Sequence, residues 1–566
     1  MAEMGRVYGA AIVTMDPLER LAIEENHDAD IPSNAGVFQD PFAKTNIGTT
    51  AASASSASNH ERDLDRDLEK WDRLSTVGDG YRGVAIEMQE RKEPGLTLTP
   101  TDPHIVDWDG PDDPHNPLNW SKNRKGIAVF VLSMLTLVTP LASSMFAPGV
   151  PSVMKEFGVA SQTLAEFVVS VYILGFAIGP LLISPLSEMW GRYPVYVVTY
   201  LCFIIFTIGC AVAKDMGSLI VFRFFSGCFG VTPVTIGGGT IADLFPAERR
   251  GAVMAIWAMG PLLGPVIGPV AGGYLSASMG WRWVFWIIAI AAGFFALLCL
   301  IFTRETYAPV ILARKAKRLR KQTGNPDLRS KLDTGLTSTE MLRRAIIRPS
   351  KMLLFSPIVV LMSIYMSVIY GLLYLLFTTF TFVFEQNYGF TENNVGLVYI
   401  AMGVGMLLGL AFLGFISDRL SKRLAARNNN GVMKPEYRLP PLIVGGFFIP
   451  VGMFIYGWGT DKQVQWAVPL LGTLFVGMGI IAAFMCIQTY LIDAFTVYAA
   501  SAIAANTVLR SIFGAFLPLA GLDMYDALGL GWGNSLLGFI ALALIPIPGL
   551  FYRYGEHIRT RFKVQF

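Results

Sequence analysis

The sequence predicts an all-α polytopic membrane protein whose twelve transmembrane helices form two pseudo-symmetric six-helix bundles. The first observation is composition, because the 566 residues are 53% hydrophobic and only 15% charged, whereas soluble domains carry about 25% charged residues. The second is periodicity. From residue 126 onward, apolar runs of roughly twenty residues recur, each long enough to cross a ~30 Å hydrocarbon layer. The third is a weak sequence echo between two halves of this region.

The apolar runs divide into six before and six after a long polar loop. Their approximate bounds are 126–147, 164–186, 193–212, 218–241, 251–275, 282–302, 354–384, 393–416, 440–459, 466–492, 498–521 and 532–552. The predicted organisation is a tail (1–124), a first bundle (125–303), a linker (304–353), a second bundle (354–552) and a C-terminal tail (553–566).

The distribution of cations predicts the orientation. With the N-terminus inside, the outer loops hold only Lys155, Lys214, Arg282 and Lys462, and the remaining basic clusters lie inside. Because Lys and Arg mark the cytoplasmic face, we expect both termini in the cytoplasm. We expect a plasma-membrane protein, and a vacuolar membrane remains the alternative.

Two segments outside the spans are polar. The tail contains "TTAASASSASNHERDLDRDLEKWDRL", whose low complexity and dense mixed charge predict disorder with one short helix around 61–74. The linker contains the basic stretch "ARKAKRLRKQTGNPDLRSKLD". It is either an amphipathic segment on the anionic inner leaflet or a solvated connection between the halves.

The echo between the halves lies in matching cytoplasmic turns. "SPLSEMWGRYP" (184–194) follows the second span and "GFISDRLSKRL" (414–424) follows the eighth. At an offset of 230 residues, Glu188 aligns with Asp418 and Arg192 aligns with Lys422. A repeated half with a site at the interface is the architecture of alternating-access carriers.

Charged residues at these turns are candidates for an inner gate made of ion pairs. For each residue taken alone, helix capping or a role in setting the membrane orientation explains its presence about as well as a gate does. The candidates are Glu188, Gly191, Arg192, Asp243, Arg250, Asp418 and Arg419.

The fifth span, "AMGPLLGPVIGPVAGGYL" (258–275), repeats Gly-Pro every four residues. Four-spaced glycines let another helix approach closely, and each proline leaves a carbonyl without its helical donor and bends the helix. The segment is therefore predicted to be a closely packed, bent span, either for packing alone or as a surface that slides or seals. Its residues are Gly260, Pro261, Gly264, Pro265, Gly268, Pro269, Gly272 and Gly273.

Three charges inside spans are candidates for proton coupling: Glu166, Arg223 and Arg510. A charge at mid-bilayer costs at least ~2.5–3.5 kcal/mol, so each needs a partner or water. A carboxylate between an apolar environment and a cation can take up and release protons. Glu166 can equally be an interfacial residue in contact with water.

A mixed aromatic and amide lining suits amphipathic organic molecules. Tyr370 and Tyr374 share a helix face, whereas the neighbouring Tyr365 points partly away. Ordinary helix packing is an equally good explanation for any one of them. The candidates for the substrate cavity are Tyr365, Tyr370, Tyr374, Gln488, Tyr490 and Asn506.

Several function classes are disfavoured. The five histidines lie outside the predicted spans, so we expect no intramembrane metal site. There is no Walker A motif and no nucleophile with a plausible base, so we expect neither ATP dependence nor an enzyme. The five cysteines lie in spans and suggest no disulfides, and a net charge of +3 does not suggest nucleic acid.

These segments together resemble the major facilitator superfamily over residues 115–555. "SPLSEMWGR" resembles the loop after the second span, and "FRFFSGCFG" resembles the fourth-span motif whose arginine, here Arg223, is implicated in proton transfer. "GPLLGPVIGPVAGG" resembles the fifth-span motif of antiporters. "SSMFAPGVPSVMKEF" and "RETYAPVILARKAKRLRK" are similar to the fungal twelve-span drug:proton antiporter branch, which includes multidrug, polyamine and secondary-metabolite exporters.

The resemblance implies proton-coupled efflux of amphipathic organic compounds, such as drugs, fungicides or a toxic fungal metabolite, without a cofactor. The first span carries no carboxylate, so coupling would fall to groups such as Glu166 with Arg223. The expected partners are the small organic substrate, protons and the bilayer, and the protein is expected to be a monomer. Polyamine export, nutrient import and a transporter-like sensor are the alternatives considered.

Overall fold

The computed structural model describes residues 104–333, 335–428 and 433–562. All of them belong to one compact unit, Asp79–Phe566. The helix predicted around 61–74 lies outside the described residues. The described chain is almost entirely helical, and its two strands, β1 (Ile105–Val106) and β2 (Arg329–Ser330), are two residues each and pair in parallel.

The first half of the described chain contains eight helices. They are α1 (Lys122–Ser144), α2 (Val150–Phe157), α3 (Gln162–Trp190), α4 (Arg192–Ala211), α5 (Met216–Gly230), α6 (Thr232–Leu244), α7 (Ala247–Met279) and α8 (Arg282–Phe302). The linker contains α9 (Ala308–Thr323) and α10 (Ser338–Phe355).

The second half repeats this helical organisation. Its helices are α11 (Pro357–Tyr388), α12 (Glu392–Val395), α13 (Val398–Asn428), α14 (Pro440–Gly446), α15 (Phe448–Asp461), α16 (Ala467–Phe495), α17 (Ala499–Phe516), α18 (Gly521–Leu544) and α19 (Pro546–Arg561).

Ten segments of the described chain are long and apolar enough to cross a membrane. The last, Ala499–Arg561, contains two predicted spans, and a 3₁₀ turn at Leu517–Ala520 separates its helices α17 and α18. The eighth predicted span lies on the shorter apolar helix Val398–Leu413. Every predicted span therefore lies on helical structure. The number of twelve spans stays a prediction, because ten segments of the described chain meet the criterion of length and hydropathy.

Local sequence explains where the long helices begin. Ser161 precedes α3 and its hydroxyl accepts from the Leu164 amide, and Asp215 does the same for α5 from Ser218 at 2.8 Å. Such N-caps satisfy amides that lack a helical partner. The fifth predicted span is one continuous helix, α7, through all three of its prolines.

The N-terminal segment before α1 differs from the predicted disordered tail. Residues 104–121 pack against the linker, because β1 pairs with β2 and the Lys315 ammonium lies 2.5 Å from an Asp109 oxygen. Lys331 lies 2.6 Å from Asp107, and its hydrogen bond holds the pKa of that carboxyl below its ordinary value. The partners are more than 200 residues apart, which local composition does not reveal.

The linker is anchored to protein through α9. Leu312 and Ala316 on this helix are buried, and Arg314 donates to the Trp190 carbonyl at the end of α3 at 2.9 Å. Part of the predicted amphipathic stretch thus packs on the first half. This differs from both expectations for the linker, a segment on the inner leaflet and a solvated connection.

Candidate functional site

Arg223 lies on α5 with only 1% of its surface exposed. Its guanidinium donates to the carbonyls of Ser143 on α1 (3.1 Å) and Val169 on α3 (3.2 Å). It also lies over the rings of Phe146 and Tyr172, with 5.1 and 5.2 Å to the centroids. Carbonyls and aromatic faces thus take the place of a carboxylate partner and hold three helices together.

Glu166 lies at the start of α3 and is also 1% exposed. Its Oε1 accepts from the Leu522 amide on α18 at 3.0 Å, a contact between the two halves. Free amides at a helix start attract negative charge, so α18 is a suitable partner for a carboxylate. The structure does not bring Glu166 and Arg223 into an ion pair.

Arg510 on α17 lies in a different environment from Arg223. Its guanidinium lies 5.0 Å from the ring centroids of Tyr370 on α11 and Phe484 on α16. Its Nε and Nη1 make no hydrogen bond within the described part of the chain. The side-chain oxygen and nitrogen of the buried Asn506 make none there either. The carbonyl oxygen of Gln488 and the hydroxyl of Ser511 are also unpartnered there.

We call the following group the central polar cluster, because helical spacing places its members near Arg510: the ring neighbour Tyr370, Asn506 one turn before and Ser511 directly after Arg510 on α17, and Gln488 one turn after Phe484 on α16. Buried polar groups without partners cost about 1–3 kcal/mol each. A concentration of them around one cation is therefore typical of a binding site rather than of a packed core.

The predicted tyrosines separate into two environments. The rings of Tyr370 and Tyr374 pack with their planes tilted by 55° and their centroids 5.1 Å apart, and the hydroxyl of Tyr374 lies 3.2 Å from that of Ser143 on α1 in the other half. Tyr365 is buried against Gly446 within the second half. Tyr490 is likewise buried within the second half, beside Gly555.

The glycine stripe of α7 packs on α1. A side-chain carbon at Gly264 would lie 2.8 Å from the Leu141 amide, and one at Gly272 would overlap the Met145 carbonyl. Gly260 and Gly268 make equally close approaches to α1. Close backbone contact of this kind is how helices associate where lipid gives no hydrophobic drive.

The other side of α7 contacts the second half. Gly403 on α13 lies against the Val266 side chain, and Gly396 lies against the Pro269 carbonyl. Pro269 and Gly268 are buried between these neighbours. The Gly-Pro repeat therefore contributes to packing within the first half and to the interface between halves.

The charges predicted to face the cytoplasm form a cluster within the first half. Arg192 lies 3.4 Å from Asp243, donates to the Ser187 hydroxyl at 2.6 Å, and gives its backbone amide to Glu305 at 2.8 Å. Gly191 has φ +99°, and any side chain there would collide with the Glu305 carboxylate. This close approach and the positive φ require glycine.

The remaining gate candidates lie apart from this cluster's core. Glu188 is exposed, as is Arg419. Arg250 donates to the carbonyls of Ala242 and Phe245, at 3.1 and 3.2 Å, at the end of α6. The side chain of Asp418 lies outside the described residues.

A second charge cluster, which the sequence analysis missed, occupies the matching place in the second half. Arg438, before α14, lies 3.2 Å from Asp493 at the end of α16. The first half has the same arrangement in Arg192, at the start of the third span, and Asp243, at the end of the fourth. The structural equivalent of Arg192 in the second half is therefore Arg438 and not Lys422. The alignment of the two loops did not reveal this equivalence.

Several contacts between the halves lie toward the predicted outer face. They include Glu166 with Leu522, Val266 with Gly403, and Ser143 with Tyr374. Gly514 on α17 also lies beside Ile173 on α3, so the halves meet at the level of the central polar cluster as well.

The chain is similar to known membrane proteins. Residues 132–518 match the family model described as Major Facilitator Superfamily. The chain is 58% identical over 464 residues to the MFS-type transporter tndD of Aspergillus flavipes, covering 81% of this chain and 86% of that one. It is 55% identical over 466 residues to the efflux pump radE of Floropilus chiversii, covering 82% and 87%.

Solved structures share the fold. The xylose transporter XylE from E. coli, in a partially occluded inward open conformation, superimposes with a TM-score of 0.58 at 17% identity. That comparison covers 76% of this chain and 98% of the transporter.

Proposed function

Because this chain belongs to the major facilitator superfamily, we propose that it is a proton-coupled efflux pump for amphipathic organic compounds, toxic fungal secondary metabolites among them. It exports them by alternating access across the plasma membrane, as a monomer without a cofactor and with both termini in the cytoplasm. The Floropilus relative is named an efflux pump, which supports the direction of transport.

The central polar cluster is the observation that carries this proposal. Arg510 lies between aromatic rings, and Asn506 and Ser511 beside it have unpartnered polar atoms. A substrate with a polar group and an aromatic body would satisfy those atoms and contact those rings. The cluster lies next to Tyr374, whose hydroxyl reaches the other half, so binding there is coupled to the interface.

Glu166 is the proposed proton carrier. As a carboxylate it accepts from the start of α18 and holds the outer ends together, and protonation would weaken that contact. Glu166 would take up a proton from outside while the outer side is open, and closure against the start of α18 would favour the carboxylate and release the proton inward, as antiport requires. Arg223 would keep α1, α3 and α5 in register during the cycle.

The ion pairs at the predicted cytoplasmic ends are proposed as parts of the inner gate that stiffen the half to which they belong. Arg192 with Asp243 and Arg438 with Asp493 each join two span ends within one half. They would keep each half rigid as the halves rock, so the inner ends would separate as two bodies.

The test is transport in sealed inside-out vesicles containing the purified full chain. With an acidic interior, a rhodamine dye and a panel of labelled fungicides should accumulate inside, and a protonophore should abolish the accumulation. Arg510→Gln, which removes the charge and keeps a polar amide, should reduce accumulation at least tenfold without changing thermal stability. If no compound moves against its gradient, a transporter-like sensor becomes the better description.

A further inference from the structure

The lower half of the α1–α7 contact is open, unlike its upper half. From Gly260 to Gly272, the glycine stripe of α7 packs closely against α1. Beside and below Gly260, an apolar groove of about 460 Å³ lies between the two helices. The groove is lined chiefly by side chains such as Val129, Phe130, Val253, Ile256 and Met259.

The groove opens toward lipid. Ile256 lies on the same face of α7 as Ile267 and Tyr274, because spacings of 11 and 7 residues return to nearly the same helical angle. All three side chains are more than 40% exposed in the folded chain. An apolar face exposed along the whole length of a spanning helix is in contact with the bilayer.

The length of the groove matches one leaflet. It extends on α1 from Gly126 to Leu137, eleven residues on, which is about 16 Å of helix. Half of a ~30 Å hydrocarbon core is about 15 Å. An acyl chain of the cytoplasmic leaflet therefore fits the groove from the interface to the midplane.

Two cations lie at the cytoplasmic end of this groove. The Lys125 ammonium is 5.3 Å from the ring centroid of Phe245, which lines the groove. Arg249 lies one turn before Val253 and close enough to Lys125 for the two charges to repel. Neither forms an ion pair with a described side chain, although Lys125 donates to the Leu118 carbonyl at 2.7 Å.

We propose that the groove between α1 and α7 binds an anionic phospholipid, with its phosphate at Lys125 and Arg249 and one acyl chain along the groove. A phosphate there relieves the repulsion between the two cations, and the chain fills the space left where the glycine stripe ends. The lipid would brace α7 against α1 below the glycine stripe.

The headgroup test measures lipid binding to the detergent-purified full chain by native mass spectrometry. Phosphatidylserine should bind more tightly than phosphatidylcholine with the same chains. Each cation near the surface contributes about fivefold in affinity, so Lys125→Gln with Arg249→Gln should weaken phosphatidylserine binding roughly 25-fold. The matched control is Arg423→Gln with Arg427→Gln, two exposed cations of the second half, and should change binding less than about twofold.

The acyl-chain test fills the groove. Met259→Trp should lower the binding of both lipids, whereas Ile267→Trp, on the same lipid-facing side but beyond the groove, should not. Thermal melting of each variant separates these effects from misfolding. Glycerophosphoserine, the headgroup without chains, should fail to compete.

Three results would overturn the assignment. Equal binding of the two phospholipids removes the role of the cations. Competition by glycerophosphoserine identifies a site for a free phosphate. Displacement of the phospholipid by the rhodamine dye assigns the groove to transported solutes.

Discussion

The two buried arginines show how the same side chain serves different purposes according to its partners. Arg223 donates to backbone carbonyls from two other helices and lies over aromatic rings. Arg510 has ring contacts and two nitrogens without hydrogen bonds in the described chain, whereas Arg223 has one such nitrogen, Nε. A guanidinium cannot escape burial by losing its proton, so unpaired nitrogens require a ligand or water. Arg223 is thus suited to structure and Arg510 to recognition.

Glu166 gives the sharpest prediction for a single residue. In Glu166→Gln the amide oxygen can still accept from Leu522, but the side chain no longer carries a proton. We expect accumulation driven by the pH gradient to fall at least tenfold, while exchange of labelled for unlabelled solute persists. Both are measured in the same vesicles.

The control for that variant is Glu156→Gln. Glu156 is also an acidic residue in the first half, but it pairs with Arg282 and is substantially exposed. Its neutralisation should leave gradient-driven accumulation within about twofold of the wild type. Undiminished accumulation in Glu166→Gln would remove this residue from the coupling mechanism.

At the residue scale the sequence identified candidates but not their partners. A charge within an apolar run is visible directly, so Glu166, Arg223 and Arg510 were found. The partner of Glu166 is a backbone amide 356 residues away. Every residue has a backbone amide, so sequence alone offers no signal for this choice.

At the scale of elements, the glycine stripe of α7 determines how closely two helices approach. Gly272→Ala places a methyl group against the Met145 carbonyl, which cannot move without shifting α1. We expect a loss of about 1–3 kcal/mol in stability, as for other overpacked contacts. It is measured as a lower melting temperature of the purified protein.

The matched control is Gly293→Ala on α8. A side chain there meets nothing within 4 Å, and alanine favours the helix. Its melting temperature should be equal to or slightly above that of the wild type. Equal melting of the two variants would mean that the stripe is not tightly packed.

Elements were predictable where hydropathy defines them and less so elsewhere. Each predicted span coincides with helix, because satisfying the backbone in lipid leaves little alternative. The structured segment 104–121 was not predicted, since it depends on pairing with Arg329 and Lys331 in the linker. The charge pair of Arg438 with Asp493 was missed because its equivalence to the first half is one of position, not of local sequence.

For the whole molecule, the outer contact between halves must open and close if transport is by alternating access. Val266 on α7 and Gly403 on α13 belong to different halves and touch at this contact. A side-chain carbon at Gly403 would lie 2.9 Å from that of Val266, just short of the ~3.5–4.5 Å of a disulfide. Val266→Cys with Gly403→Cys should therefore cross-link after a small shift.

We expect this cross-link to stop transport by holding the outer side closed, and a reductant to restore it. The measurement is dye accumulation in vesicles before and after oxidation, with the five native cysteines replaced. The control pair, Gly445→Cys with Ala482→Cys, joins α14 to α16 within the second half. A side-chain carbon at Gly445 would likewise touch that of Ala482. It should leave transport intact, because a body that rocks as a unit tolerates an internal link. Continued transport through a fully formed Val266–Gly403 link would contradict rocking of the two halves.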